Sequence, residues 1–243
     1  MNKNNKSYEN WKKVWDNRDI TIDDNKSLLN QLIAANGFDT GVGDYSLKDW
    51  NNLTRYVSKR LKLDKNSNLF EIGCGSGAFL YSLNIISGCK IYGIDYSQSL
   101  IKIANKYLKG AFKNLEASDD WALSTEMDYI VSHSVFNYFP NNAYLIKTLN
   151  NAYKNLKIGG KIIALDLNDV EKQVSYHHER KKLYVDSEQY EEKYKNHQHL
   201  FFAKDQIIVM LEKAGFSNIQ FFDNPCKNYK NSQFRFNFQA TKI

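Results

Sequence analysis

The segment that most constrains the fold lies between positions 68 and 78. Asn68-Leu-Phe-Glu-Ile72 is a short apolar run of strand length, and Gly73-Cys-Gly-Ser-Gly77 follows it directly. Glycines at 73, 75 and 77 let the backbone turn sharply and bring its N–H groups close to a ligand. The residues from Gly77 to Ile86 then read as a helix. Strand, glycine turn and helix in that order form a βα unit, and such units build parallel sheets with helices on both faces.

The same rhythm continues. Lys90–Asp95 reads as a second strand, Ser97–Leu108 as a helix with Ser97 as N-cap, and Phe112–Leu115 as a third strand. Met127–Ser132 is a fourth strand and Asn142–Leu156 a helix ending at Gly159-Gly160. Lys161–Leu167 is a fifth strand, and Asp205–Ala214 a helix closed by Gly215. Ser217–Phe222 and Gln233–Lys242 alternate as strands about ten residues apart, so they pair as an antiparallel hairpin. The expected fold is α/β: a doubly wound, mostly parallel seven-stranded sheet with an antiparallel terminal strand.

Two segments stand outside this core. Residues 1–66 read as an N-terminal helical cap. They hold an aromatic stretch (Tyr8, Trp11, Trp15), a loop with Gly37, Gly41 and Gly43, and a helix with apolar residues at Leu47, Trp50, Leu53, Val57 and Leu61. Ser46 caps that helix, with Asp49 in the capping-box position. Residues 169–200 interrupt the α/β pattern with Tyr176, Tyr184, Tyr190 and Tyr194 and with four of the five histidines. A long insertion of this composition after a sheet strand reads as a substrate lid. The chain is thus one domain: cap 1–66, core 67–168, lid 169–200, and helix plus hairpin 201–243.

Composition excludes several classes. The 243 residues are 42% hydrophobic, enough for one core, and no stretch approaches the ~20 apolar residues of a membrane span. The polar start, Met1–Trp11, lacks a signal-peptide h-region. Cys74, Cys89 and Cys226 have no paired spacing, so free thiols in the cytoplasm are expected. The net charge of +6 is spread along the chain without a dense basic block, which reads as a solvated surface. No membrane partner is expected, and monomer and homodimer both fit.

The glycine turn also satisfies the G-x-G-x-x-A form of a dinucleotide site, through Gly73, Gly75 and Ala78. Glu71 discriminates: an anion two residues before the first glycine does nothing for a pyrophosphate and suits a cationic cofactor. Asp95, ending the second strand 20 residues after Gly75, is placed to accept ribose hydroxyls.

Glu71-Ile-Gly-Cys-Gly-Ser-Gly77 resembles motif I of the class I, Rossmann-like S-adenosylmethionine-dependent methyltransferases, and Gly93-Ile-Asp95-Tyr-Ser97 resembles their motif II. Glu116-Ala-Ser118 falls where the family carries an Asp-Ala pair beside the adenine. Asp128–Ser134 matches the strand whose end faces methionine and substrate. Leu156-Lys-Ile-Gly-Gly-Lys161 resembles a Leu-Lys-Pro-Gly-Gly turn with Ile158 in place of proline. Ala214-Gly-Phe216 and the closing hairpin match the family's reversed last strand. The resemblance spans residues 45–243 without the insertion. It implies S-adenosylmethionine as cofactor, with S-adenosylhomocysteine as product. The implied cofactor set is Tyr45, Glu71, Gly73, Cys74, Gly75, Gly77, Asp95, Tyr96, Ser97, Glu116, Ala117, Ser118, Ser132 and His133. Tyr45-Ser-x-x-x-Trp50, Ser134–Phe139 and Asn231–Phe236 are similar to small methyltransferases of bacterial surface-polysaccharide biosynthesis, which act on sugar- or nucleotide-linked precursors, phosphoramidate decorations included.

Methyl transfer needs alignment of nucleophile, methyl and sulfur, and a base only where the acceptor must lose a proton. His133, at the end of the fourth strand, is the candidate base; packing is its plain alternative. Asn137, Tyr138, His177, His178, Arg180, Tyr190 and His199 are candidate acceptor contacts. Arg235, inside an apolar strand, either holds an anion or pairs with a core acid. No metal site is expected from His197-x-His199. The expected function is methyl transfer to an oxygen or nitrogen of a small anionic molecule, phosphorylated, phosphoramidate or sugar-linked, in surface or capsular polysaccharide synthesis. Three alternatives stay open: a nucleic-acid methyltransferase, although Ser132-His-Ser-Val135 lacks the Pro-Pro-aromatic turn of base-directed enzymes; a non-catalytic cofactor-binding partner subunit; and an NAD-dependent oxidoreductase, against which Glu71 counts.

Overall fold

The computed structural model describes residues 3–18, 20–39, 43–226 and 228–243, so Gly41 of the expected loop lies outside the described residues. The cap holds α1 (Lys3–Asp16), α2 (Leu28–Ala35) and α3 (Leu47–Leu61). The core follows as β1 (Asn68–Ile72), α4 (Ala78–Ser87), β2 (Lys90–Asp95), α5 (Gln98–Tyr107), β3 (Gly110–Asn114), β4 (Met127–His133), α6 (Asn142–Asn155) and β5 (Leu156–Asn168). The insertion forms α7 (Gln173–Lys181) and α8 (Ser187–Lys195). The chain ends with α9 (Lys204–Lys213), β6 (Phe216–Phe222) and β7 (Arg235–Lys242).

All seven strands join one sheet in the order β3-β2-β1-β4-β5-β7-β6. β1 to β5 pair in parallel, and β7 runs antiparallel to β5 and β6. The order reverses between β1 and β4, where a doubly wound sheet opens a crevice at the carboxyl ends of its strands. Successive strand residues face opposite sides. Leu69, Val131 and Ile163 join the core under α3 and α4 with Trp50, Phe79 and Leu83. Their neighbours Phe70, Ile130 and Ile162 join the core under α6 and α9 with Leu149 and Leu211. Burial on both faces is why these strands read as continuous apolar runs.

The local signals hold where they are chemical. Ser46 Oγ accepts the Asp49 N–H at 3.1 Å and donates to Asp49 Oδ2 at 2.7 Å, starting α3. Ser97 Oγ caps α5. Gly77, at φ 83°, is the N-cap of α4, and a Cβ there would run into Leu108. The structure adds to or departs from these expectations at four places. The helix α2 was not expected; it buries Leu32, Ile33 and Ala35 beside the glycine turn. The Gly159-Gly160 pair lies within β5, not before it: pairing with β4 jumps from Met127↔Leu156 to Tyr129↔Lys161, and the extra residues bulge out. The insertion is two short helices. The segment from Gln233 opens as a 3-10 turn over Ser232–Phe234, so β7 starts at Arg235.

A second irregularity matters more. Between Ala164↔Phe238 and Leu167↔Phe236, β5 advances three residues while β7 advances two. This one-residue bulge carries Asp166 at φ 66°.

Candidate active site

A cavity of ≈ 910 Å³ opens at the carboxyl ends of β1, β2 and β4. Its floor on one side is Glu71, Gly73, Gly75, Asp95 and Tyr96. Glu71 is 2% exposed, and its Oε2 has no hydrogen-bond partner. Burial, and after it the Asp95 charge, pushes its carboxyl well above the usual range. A buried carboxylate without a partner is costly unless a cation or donor meets it. Asp95 accepts the Gly75 N–H on Oδ2 and the Ser97 N–H on Oδ1, both at 2.8 Å. Burial still raises it to about 6, against the pull of those two donors. Each oxygen keeps a lone pair for a further donor.

The glycines act through the protein as much as through a ligand. At Gly73 (φ 69°) a Cβ would strike Val135, and at Gly75 (φ 54°) the Asn36 side chain. Asn36 Oδ1 accepts the Ser76 N–H at 2.8 Å and its Nδ2 donates to Cys74 O at 3.3 Å, so the end of α2 clasps the turn. Arg18 in turn donates to Ala34 O and Ala35 O at 2.9 and 2.8 Å.

The opposite side of the cavity is lined by His133, Ser134, Tyr138, Arg180, Tyr194, His199, Tyr229, Asn231 and Arg235, among others. His133 lies among Phe38 (stacked, 4.8 Å), Phe79 (4.9 Å), Trp50 and Tyr45, and neither ring nitrogen has a partner. Burial lowers it to about 4 although Asp166 pulls upward. It is therefore neutral at pH 7, an available hydrogen-bonding ring and a weak base. Of the two roles its sequence context allowed, Arg235 shows the pairing with a core acid: its Nε sits 3.8 Å from Asp166 Oδ1, and the residue also lines the cavity. Arg180 donates to Tyr194 Oη at 2.8 Å and Asn231 Oδ1 at 3.3 Å, both neutral groups. The guanidinium carbons of Arg180 and Arg235 lie 4.4 and 5.6 Å from the Tyr176 ring.

The roof comes from α1 and the insertion. Asn10 donates to Asn196 O at 2.9 Å, Trp11 Nε1 to Gln198 O at 3.1 Å, and the Trp11 ring stacks on His199 at 4.9 Å. Tyr8, Lys12 and Tyr144 all bond the Glu116 carboxylate. Burial pushes that carboxyl up, but the three donors outweigh it and hold it low.

Of the expected cofactor residues, Glu71, Gly73, Gly75, Asp95, Tyr96, Ala117 and His133 line the cavity. The others support it from behind. Cys74 packs beneath Gly93, Ser132 Oγ bonds Ile72 O at 3.2 Å, and Ser97 and Gly77 cap helices. Tyr45 stacks on Tyr229 at 4.0 Å, outside the lining. Glu116 anchors α1, and Ser118 beside it is also outside. Of the expected acceptor residues, Tyr138, Arg180, His199 and Arg235 line the cavity. Asn137 is buried and ties Asp166 O (2.7 Å) to the Asn168 N–H (2.7 Å). His177 bonds Tyr190, and both, with His178, face a separate groove between α7 and α8.

Sequence reasoning missed Asn36, Phe38, Asp166, Tyr229 and Asn231. Asp166 alone had a usable signal: a charged residue in an apolar run, near the carboxyl end of β5. Among the described residues, no cluster of three or more His, Cys, Asp or Glu could hold a metal, and no helix is long and apolar enough to cross a membrane.

Residues 47–221 match the family described as "Methyltransferase domain". Human EEF1A lysine methyltransferase 2 is 33% identical over 92 residues, 37% of this chain and 39% of that protein. The chain spans less than half the length of the curated relatives it matches. An S-adenosylmethionine-dependent methyltransferase from Clostridium acetobutylicum superposes with a TM-score of 0.61 at 16% identity, over 86% of this chain and 97% of that one. Phosphoethanolamine N-methyltransferase 2 from Haemonchus contortus, in complex with phosphomonomethylethanolamine and S-adenosylhomocysteine, reaches 0.58 at 15% identity, over 88% and 57%. At such identities the likeness is one of fold.

Proposed function

Because the chain belongs to the methyltransferase-domain family and carries an S-adenosylmethionine-dependent methyltransferase domain, we propose that it methylates an oxygen or nitrogen of a small anionic molecule held beneath the roof. One observation carries the acceptor class. Arg180 and Arg235 open into the same cavity as Glu71 and Asp95, and of the two only Arg235 has a carboxylate beside it among the described residues. Two half-buried to buried guanidiniums with spare N–H groups form a receptor for phosphate or carboxylate.

The cofactor residues fit their task. The buried Glu71, whose Oε2 has no hydrogen-bond partner, is the counter-charge that a cationic cofactor requires, and Asp95 accepts ribose hydroxyls on its free lone pairs. S-adenosylmethionine supplies a methyl group already activated by a sulfonium. The chain itself then binds, orients and shields. Gly73 and Gly75 hold the turn open, Tyr96, Leu115 and Ala117 give an apolar wall, and α1 with α8 keeps water out. His133, neutral, orients the acceptor through a ring nitrogen. The arginines fix the acceptor's anion, so that alignment carries the rate.

The segments Tyr45–Trp50, Ser134–Phe139 and Asn231–Phe236 support a sugar- or nucleotide-linked precursor of a surface or capsular polysaccharide as acceptor, and three buried free thiols support a cytoplasmic setting. The Haemonchus contortus complex provides a precedent in this fold for a small phosphate monoester.

The test has two stages. Calorimetry with S-adenosylhomocysteine, with NAD in parallel, is expected to show saturable binding of the former alone. S-adenosylhomocysteine formation is then followed with phosphorylated and nucleotide-linked sugars, with RNA, and with a lysine-rich protein. Turnover confined to RNA or to the protein would overturn the small anionic acceptor; binding of NAD instead would overturn the cofactor.

A further inference from the structure

Two non-glycine residues with left-handed backbone meet at the acceptor end of the cavity: Ser134 at φ 59° and Asp166 at φ 66°. Strain of this kind persists only where the surroundings enforce it, and it gathers at functional sites. At Asp166 the bulge in β5 enforces it, helped by Asn237 Oδ1, which accepts the Asp166 N–H at 2.8 Å. The result is a fully buried carboxylate whose Oδ2 accepts two hydroxyls, Ser134 Oγ at 2.8 Å and Tyr229 Oη at 2.9 Å. The Tyr229 oxygen also accepts the Asn231 amide at 3.1 Å. With one bond donated and one accepted, it keeps a single lone pair, and Tyr229 lines the cavity.

A counter-ion role for Asp166 does not account for this geometry. Arg235 makes no hydrogen bond to the Asp166 carboxylate; its Nε is 3.8 Å from Oδ1, and both atoms lack partners. The directed bonds come from the hydroxyls. His133, by contrast, has no carboxylate bonded to its ring to fix a tautomer.

We infer that Tyr229 receives the proton of an acceptor hydroxyl, with Asp166 as the positioning residue that takes the phenol's own proton, so that the methyl group goes to a hydroxyl beside the bound anion and not to the anion's own oxygen. An oxygen already ionised needs no proton acceptor. The acceptor O–H breaks as its proton reaches Tyr229 Oη and the phenolic proton reaches Asp166 Oδ2. The new O–C bond forms as the donor's S–C bond breaks, with the bonding pair staying on sulfur. One negative charge is lost at the carboxylate and one positive charge at the sulfonium, so the net charge of the cavity is unchanged. The inference rests on the anionic-acceptor reading.

The first test is calorimetry on the full chain saturated with S-adenosylhomocysteine. The probes are glycerol 1-phosphate against propyl phosphate and glycerol 2-phosphate against isopropyl phosphate, with inorganic phosphate as the reference anion. At least one hydroxylated probe is expected to bind about fivefold tighter than its deoxy partner, the worth of one neutral hydrogen bond. Tyr229→Phe, which keeps the ring on Tyr45, is expected to erase that preference. No preference in either pair, or one that survives the substitution, overturns the inference while phosphate binding upholds the anion site. Failure of all five probes to bind takes down the anionic reading and this inference together.

The second test places 3-fluorotyrosine at 229 and follows its ionisation by fluorine NMR. Asp166, Arg235 and Tyr45 are the titratable groups that face this phenol. Asp166→Asn is expected to lower the midpoint. Ser134→Ala, which removes the competing donor from Oδ2, is expected to raise it. Midpoints that do not move in opposite directions remove Asp166 from the role.

Discussion

The donor side of the cavity takes its polar atoms from one short stretch, Glu71 to Tyr96, much of it backbone. The acceptor side takes Ser134 from the end of β4, Asp166 from a bulge, Arg180 and Tyr194 from an insertion, and Tyr229, Asn231 and Arg235 from the approach to β7. The donor side is therefore set largely by one βα unit and the strand after it, with Asn36 of the cap clasping the turn. The acceptor side exists only once distant segments have packed.

Stability and binding meet at Arg235. Arg235→Ala leaves Asp166 buried without a nearby cation, and is expected to lower unfolding free energy by about 3–5 kcal/mol in denaturant melts. Arg180→Ala, whose partners are neutral and whose site is more open, is expected to cost less than about 1 kcal/mol while weakening phosphate binding about tenfold. Equal stability losses would mean that Asp166 does not depend on Arg235.

On the donor side, Asp95→Ala is expected to weaken S-adenosylhomocysteine about 100-fold by calorimetry, from the loss of charged hydrogen bonds. Phosphate affinity should stay unchanged. A parallel loss in both ligands would show that the halves are not independent.

The pH response sharpens the same point. Asp95 is raised to about 6, so in the ligand-free protein its contribution to stability is fully present below its usual carboxylate range and is lost as pH rises through about 6. Cofactor binding goes the other way, because ribose hydroxyls prefer the ionised acceptor. S-adenosylhomocysteine affinity is expected to fall about tenfold from pH 7 to pH 5. An affinity flat across that range would remove Asp95 as the ribose acceptor.

The smallest effect is expected at His133. Its ring is neutral and packed among aromatics, so His133→Phe should leave unfolding within about 1 kcal/mol. Turnover of the acceptor found in the screen should drop less than tenfold. A loss of three orders of magnitude would make His133 the base and Tyr229 a bystander.

The legible parts of the molecule follow the same division. The glycine turn, Glu71, Asp95, the Ser46 and Ser97 caps and the reversed last strand are set by neighbours in sequence, and all were readable. Tyr45, Glu116 and Ser132 lie outside the cavity lining, with their side chains on other groups; position in a motif does not fix rotamer direction. Asp166 announced itself only as a charge in an apolar run; the bulge that turns it toward Ser134 and Tyr229 is a property of two strands in register. Asn36 escaped because α2 was not expected: Leu28–Ala35 is too short for periodicity to separate helix from coil.

Trp11 and Trp15 line the cavity, whereas Trp50 and Trp121 are wholly enclosed. The protein thus contains one pair of fluorophores on the cavity wall, a third, Trp50, just behind the His133 ring, and a fourth, Trp121, packed on Phe70. Emission from the first pair should respond to ligand at once, since Trp11 rests on the His199 ring; emission from Trp121 should stay constant. Filling of the chamber can then be timed in a stopped-flow instrument without a label, before its natural occupant has been identified.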